Sequence, residues 1–112
     1  MNQIYKDASS LYEVEERKSH AERDGFRINE LKISTSQQVP WHYHSVIKDT
    51  FYVLEGEITI NLRDPEETVR IGQSETYEVP AKRPHLVTNT SSCSARFLIL
   101  QGIGEYDYIP LT

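Results

Sequence analysis

The sequence predicts an all-β domain, and three observations carry the prediction. Short runs of β-branched and aromatic residues recur along the chain. Gly, Pro and Asp punctuate those runs at short intervals. No stretch carries a sustained 3.6-residue apolar period. Many short strands joined by such turns build an antiparallel barrel or sandwich.

The elements follow in order. Residues 1–10 are polar and read as a loose N-terminal arm. Leu11 to Lys18 carries charges that fit either a short helix or an edge strand. Asp24-Gly25 is a turn, because both residues tolerate positive φ. Phe26 to Ile33 alternates: Phe26, Ile28, Glu30 and Lys32 share one face, and Arg27, Asn29, Leu31 and Ile33 the other. A strand fits that alternation best. Pro40 opens the next segment, with a short strand over Trp41 to His44. Thr50 to Glu55 is strongly β-prone. Gly56-Glu57 turns the chain, and Ile58, Ile60 and Leu62 alternate with Thr59 and Asn61. Asp64-Pro65 is another turn. Thr68 to Ile71 forms a strand ending at Gly72, and Thr76 to Val79 one stopped by Pro80. Pro84 precedes a strand over His85 to Asn89, and Phe97 to Gln101 is the last clear strand. The tail, with Tyr106, Tyr108 and Pro110, lies across a neighbouring surface. No repeat, linker or low-complexity run divides the chain, so residues 1–112 form a single domain.

Bulk properties exclude several classes. The 112 residues carry a net charge of −5, with scattered basic residues. A nucleic-acid binder concentrates basic charge on one face, and a polybasic membrane surface needs the same. No apolar run approaches the roughly 20 residues that span a bilayer, and the N-terminus lacks the apolar core of a signal peptide. The single cysteine, Cys93, cannot form an internal disulfide. A soluble protein of a reducing, cytoplasmic compartment is the expectation. Cys93, in a Ser-rich loop, reads as incidental rather than nucleophilic.

The histidines carry the chemistry. His42 and His44 stand at i and i+2, so on a strand they point to one side and can converge on one ion. Asp49 begins the strand of Phe51 and Val53 and shares their face. A carboxylate beside an apolar lining is costly unless a metal or other cation pairs with it. His85 shares a face with Val87 and Asn89. His20 sits in the charged run Glu15 to Asp24 and reads as solvated surface. Lys82 and Arg83 read as solvated turn residues. Face counting offers Arg27, Asn29 and Asn89 as pocket residues.

Residues 42–56 resemble the first signature of the cupin superfamily: His42, x, His44, four residues, Asp49, six residues, Gly56. Residues 72–89 resemble the second: Gly72, Pro80, His85 and, four later, Asn89. Three positions depart from the family pattern. Asp49 replaces the usual glutamate and is one methylene shorter. Lys82 replaces the usual glycine two residues after Pro80. Seven residues separate Gly72 from Pro80 where five are usual. No departure removes a histidine.

The resemblance implies a double-stranded β-helix (jelly-roll) barrel of the small quercetin-dioxygenase-like, metal-binding kind. It implies one divalent transition metal (iron, manganese, nickel, cobalt or zinc) on His42, His44 and His85, with Asp49 as a fourth ligand or an orienting group. The implied activity is metal-dependent turnover of a small polar or aromatic metabolite, with oxygenase-like chemistry placed first. Lyase, isomerase or decarboxylase work on a sugar acid or carboxylate is one alternative, and non-catalytic small-molecule binding another. Phe51 and Val53 oppose Tyr52 and Leu54, so that strand is apolar on both faces and calls for a cover on each. A second copy of the chain is the expected outer cover, and small cupins often dimerise. Trp41 and Tyr43 fit the same picture, with the chain's own N-terminal segment as the alternative cover.

Overall fold

The computed structural model describes residues 3–111. Met1 and Asn2, the start of the arm expected to be loose, lie outside the described residues, as does Thr112. Ten strands follow one another: β1 Glu16–Arg23, β2 Phe26–Ile33, β3 Gln38–Tyr43, β4 Lys48–Glu55, β5 Glu57–Leu62, β6 Glu67–Gly72, β7 Thr76–Val79, β8 His85–Thr88, β9 Ala95–Gly102 and β10 Ile109–Pro110. They pair antiparallel in two five-stranded sheets, ordered β1-β2-β9-β4-β7 and β10-β3-β8-β5-β6. This is the expected jelly-roll barrel, and no helix occurs among the described residues.

The alternation read along the chain sorts residues between core and exterior. In β4, Asp49, Phe51 and Val53 are buried while Thr50, Tyr52 and Leu54 are half-exposed. In β9, Ala95, Phe97, Ile99 and Gln101 point inward and the residues between them outward. Leu31, Ile33, Ile58, Ile60, Leu62 and Val87 complete the layer between the sheets. Each fully buried aliphatic or aromatic side chain contributes about 1.5–3 kcal/mol.

Gly56 makes the β4–β5 turn possible. Its φ is +79°, and a Cβ there would sit 3.0 Å from the Ser94 carbonyl oxygen. Lys82 occupies the other tight turn with φ +70° and donates its backbone N–H to the His44 carbonyl at 2.7 Å. A side chain is thus accepted in a left-handed position where the family uses glycine.

One open reading is resolved and one expectation is corrected. The stretch left between helix and strand becomes an edge strand, and it starts later, at Glu16. Its register sets opposite charges directly across from one another: Glu16 faces Lys32, Lys18 faces Glu30 and Glu22 faces Arg27. Such pairs favour the strand. The N-terminal arm is also held. Tyr5 exchanges backbone hydrogen bonds of 2.9 and 2.8 Å with Tyr108, and Ala8 is buried. The tail lies across the mouth of its own barrel, where β10 pairs with β3.

Candidate metal centre

His42 and His85 are direct cross-strand partners on β3 and β8. His44 follows immediately after β3. Asp49 reaches the same point from β4 in the opposite sheet. All four side chains are buried, and one ligand atom from each lies within 4.8 Å of the others. The structure therefore brings together every residue that the two signatures single out as a ligand.

Each imidazole is oriented by a backbone carbonyl. His42 Nδ1 donates to Pro40 O at 2.7 Å and His85 Nδ1 to Arg83 O at 2.8 Å. His44 Nδ1 donates to Asp107 O. A carbonyl oxygen only accepts, so each Nδ1 carries the hydrogen. That leaves Nε2 of a neutral ring as a lone pair, the tautomer that metal-binding histidines need. Yet His44 Nε2 and His85 Nε2 lie 3.1 and 3.0 Å from Asp49 Oδ2. Lone pair would face carboxylate at both contacts. Only a shared cation, or protons on the imidazoles, makes that arrangement favourable. The donor set of three nitrogens and one carboxylate suits a divalent transition ion.

The electrostatics agree. Burial opposes charge on His44, but the Asp49 carboxylate outweighs it and raises the pKa. Burial holds His42 well below its usual value, and the neighbouring His85 and His44 add to this. Asp49 feels burial in the opposite sense, yet His44 and His85 carry it well below the ordinary carboxylate range. The cluster keeps Asp49 ionised and favours positive charge on His44 beside it, while His42 stays neutral.

Gln101, which sequence reading missed, donates Nε2 to Asp49 Oδ1 at 2.9 Å. Its position could have been found by continuing the β9 alternation from Phe97 and Ile99. The sequence reading places Tyr108 in the crossing tail but not as a cavity residue. It stacks on His42 with ring centroids 4.3 Å apart. With Tyr12, Tyr106, Val39, Phe51 and Ile99 it encloses the cavity at the cluster.

Of the three residues offered by face counting, Arg27 and Asn29 do line a cavity, which shares Tyr12, Ile99, Gln101 and Tyr106 with the one at the histidines. Asn89 does not: its amide donates to the Ile33 and Cys93 carbonyls and ties the loop after β8. Arg83 is no solvated turn residue, since it bonds Arg63 O, Pro65 O and Glu67. His20 is exposed, as expected of surface, but holds Glu30 Oε1 at 2.7 Å. Cys93 is free and exposed.

Comparison with solved structures shows the same barrel. A Klebsiella pneumoniae protein with a double-stranded β-helix domain superposes with a TM-score of 0.75 at 14% identity, over 87% of this chain and 84% of that one. A cupin-2 domain protein from Shewanella frigidimarina gives 0.66 at 21% identity, over 83% and 86%. Oxalate oxidase gives 0.71 at 14% identity, over 78% of this chain and 46% of that one. At these identities the likeness shows fold alone. A search of curated protein sequences gives no significant match. The family model of the cupin domain matches residues 29–101. That span takes in His42, His44, Asp49 and His85, and on it the chain belongs to the cupin family.

Proposed function

We propose that this protein is a metal-dependent enzyme in which His42, His44 and His85, with Asp49, hold one divalent transition ion that acts on a small polar metabolite. The observation that carries the reading is the contact of two carbonyl-anchored imidazoles with one carboxylate oxygen, an arrangement that a shared cation satisfies without protonating either ring. A bound ion would polarise substrate oxygens, acidify a water or, as iron, activate oxygen.

The chain's own residues prepare the site. Three carbonyls fix the imidazole planes, and Gln101 fixes the carboxylate. Tyr108, Phe51, Val39 and Ile99 exclude bulk water. Burial raises the phenols of Tyr106 and Tyr108 well above their usual values, so both stay protonated and can only lose strength as acids. Oxygenase-like chemistry is the first reading, because three histidines and a carboxylate suit iron among other ions. The second reading is non-oxidative turnover of a carboxylate, favoured by the arginine-bearing cavity beside the cluster.

Elemental analysis of protein made without a histidine tag, before and after mild chelation, tests the proposal. About one equivalent of a transition metal per chain is expected. Iron would direct assays to oxygen consumption, and the other metals to non-oxidative turnover. Folded protein that carries no metal and takes none up when supplied sinks the reading and leaves non-catalytic binding of a small molecule.

A further inference from the structure

Arg27 is an arginine without an acceptor. Its Nε is buried and has no hydrogen-bond partner among the described residues. Its guanidinium forms no ion pair among the described residues. The chain has 17 acidic and 12 basic residues, so carboxylates are not scarce. Arg70, Arg83 and Arg96 each take one or more of them, while Arg17, which lies over the Tyr12 ring and lines the same cavity as Arg27, is likewise without an ion pair among the described residues. Two carboxylates even stand close to Arg27. Glu22 is its cross-strand partner, and Asp7 lines the same cavity. Neither reaches ion-pair distance, and Asp7 instead accepts the Ser9 N–H at 2.9 Å.

The guanidinium is nevertheless held in place. It lies 3.9 Å over the Tyr106 ring centroid, a cation–π contact that fixes its plane and leaves its edge free. A planar fork with a free edge is matched to a carboxylate.

The strand register connects this group to the metal ligands. Asp49 on β4 faces Gln101 on β9, and Gln101 faces Arg27 on β2. The three residues form one row across the sheet, all on its inner face. Adjacent strands lie about 4.8 Å apart, so the backbones of Arg27 and Asp49 stand about 10 Å apart. Gln101 and Tyr106 line both the cavity at Arg27 and the one at His42 and His44. Within the second, Tyr108 carries another buried group without a partner, its phenolic oxygen. Both orphaned groups can donate. A water could satisfy either one, but only an anion also answers the charge of Arg27.

We infer that these two neighbouring cavities, which share the walls of Tyr12, Ile99, Gln101 and Tyr106, receive a short carboxylic acid, its carboxylate on the Arg27 guanidinium and its other polar end toward His42, His44, His85 and Asp49. The far end of that assignment rests on the metal reading above. Arg27 is then a substrate-positioning residue that selects acids over neutral analogues. The row across the sheet sets the length, which suits a short acid and not a long-chain one.

The test is calorimetric titration of cobalt(II)-loaded protein with acetate, glycolate, malonate and succinate, with malonamide as the uncharged control. At least one acid is expected to bind saturably and malonamide not to bind. Arg27→Gln should weaken that acid at least tenfold without changing cobalt content or melting temperature. Arg27→Lys, which keeps the charge but not the fork, should fall between the two and stands in if the Gln variant does not fold. Glu22→Gln should bind the acid as well as wild type or better. The inference is overturned if no acid binds, if malonamide binds as well, or if Arg27→Gln is indifferent. Cobalt content is read separately. Protein that takes up no cobalt overturns the metal reading, and the same comparison on that metal-free protein still decides whether Arg27 receives a carboxylate.

Discussion

Gln101 is the residue on which the geometry of Asp49 depends, since it supplies the donor to Oδ1 while Oδ2 faces the imidazoles. Gln101→Leu should lower metal affinity about 10- to 100-fold, the usual effect of losing a group that orients a ligand. It should also cost about 1–3 kcal/mol of stability in the metal-free protein, because a buried acceptor loses its partner. Chelator competition and thermal melting read the two effects. His44→Ala and His85→Ala should lose bound metal and the metal-dependent part of the melting temperature together. Full metal content and an unchanged melting temperature in both variants would contradict the ligand assignment. Glu30 makes a prediction away from the site. His20 and then Arg96 hold its carboxyl below the usual value. A depressed carboxylate stabilises the fold above its unfolded pKa of about 4.3 and loses that contribution as pH falls through the lower folded value. Glu30→Gln should therefore be less stable than wild type at pH 7, by about 1 kcal/mol. The difference should shrink in acid, and melting curves across pH would show it.

At the scale of elements, alternation and turn residues made eight of the ten strands legible, β2 to β9. Phe26 to Ile33 is a strand as read, although each of its faces mixes apolar with polar side chains. Edge strand β1 was not legible in that way, because all its residues but Ala21 are exposed and no apolar period marks it. Its signal is the complement of charges on β2, which has meaning only once the register is known. The three histidines and Asp49 were legible because strand periodicity and signature spacing both concern residues close in sequence. Tyr12, Tyr106 and Tyr108 were not, since loops and the crossing tail bring them to the cavity and no local period reports such a path. Asn89 shows the opposite failure. Its face was read correctly, but β8 ends at Thr88, and the side chain closes a loop. The β4–β5 turn offers a test of local geometry. Gly56→Ala meets positive φ and a Cβ pressed against the Ser94 carbonyl. It should destabilise by about 1–3 kcal/mol, seen as a lower denaturant midpoint with an unchanged slope.

For the whole molecule, the expected second copy has a face to occupy. Ile28, Tyr52, Leu54, Leu98 and Leu100 project from the outer side of the β1-β2-β9-β4-β7 sheet and are half-exposed. Sedimentation should find twice the chain mass at micromolar concentration, and Leu98→Lys should shift it toward the single chain. A wild-type protein that sediments as one chain at tens of micromolar would remove homodimerisation from the account.

The Tyr5–Tyr108 exchange has a practical consequence. It ties the first and last described segments together beside the cavity that Tyr108 encloses. Lys6 and Glu105 add an ion pair across the same seam. Anything fused to either segment is consequently held near the cavity lined by His42, His44 and Asp49. A polyhistidine purification handle would bring its own imidazoles there, where they could scavenge an ion or plug the entrance. Cleaving such a handle changes the chemistry of the sample as well as its length.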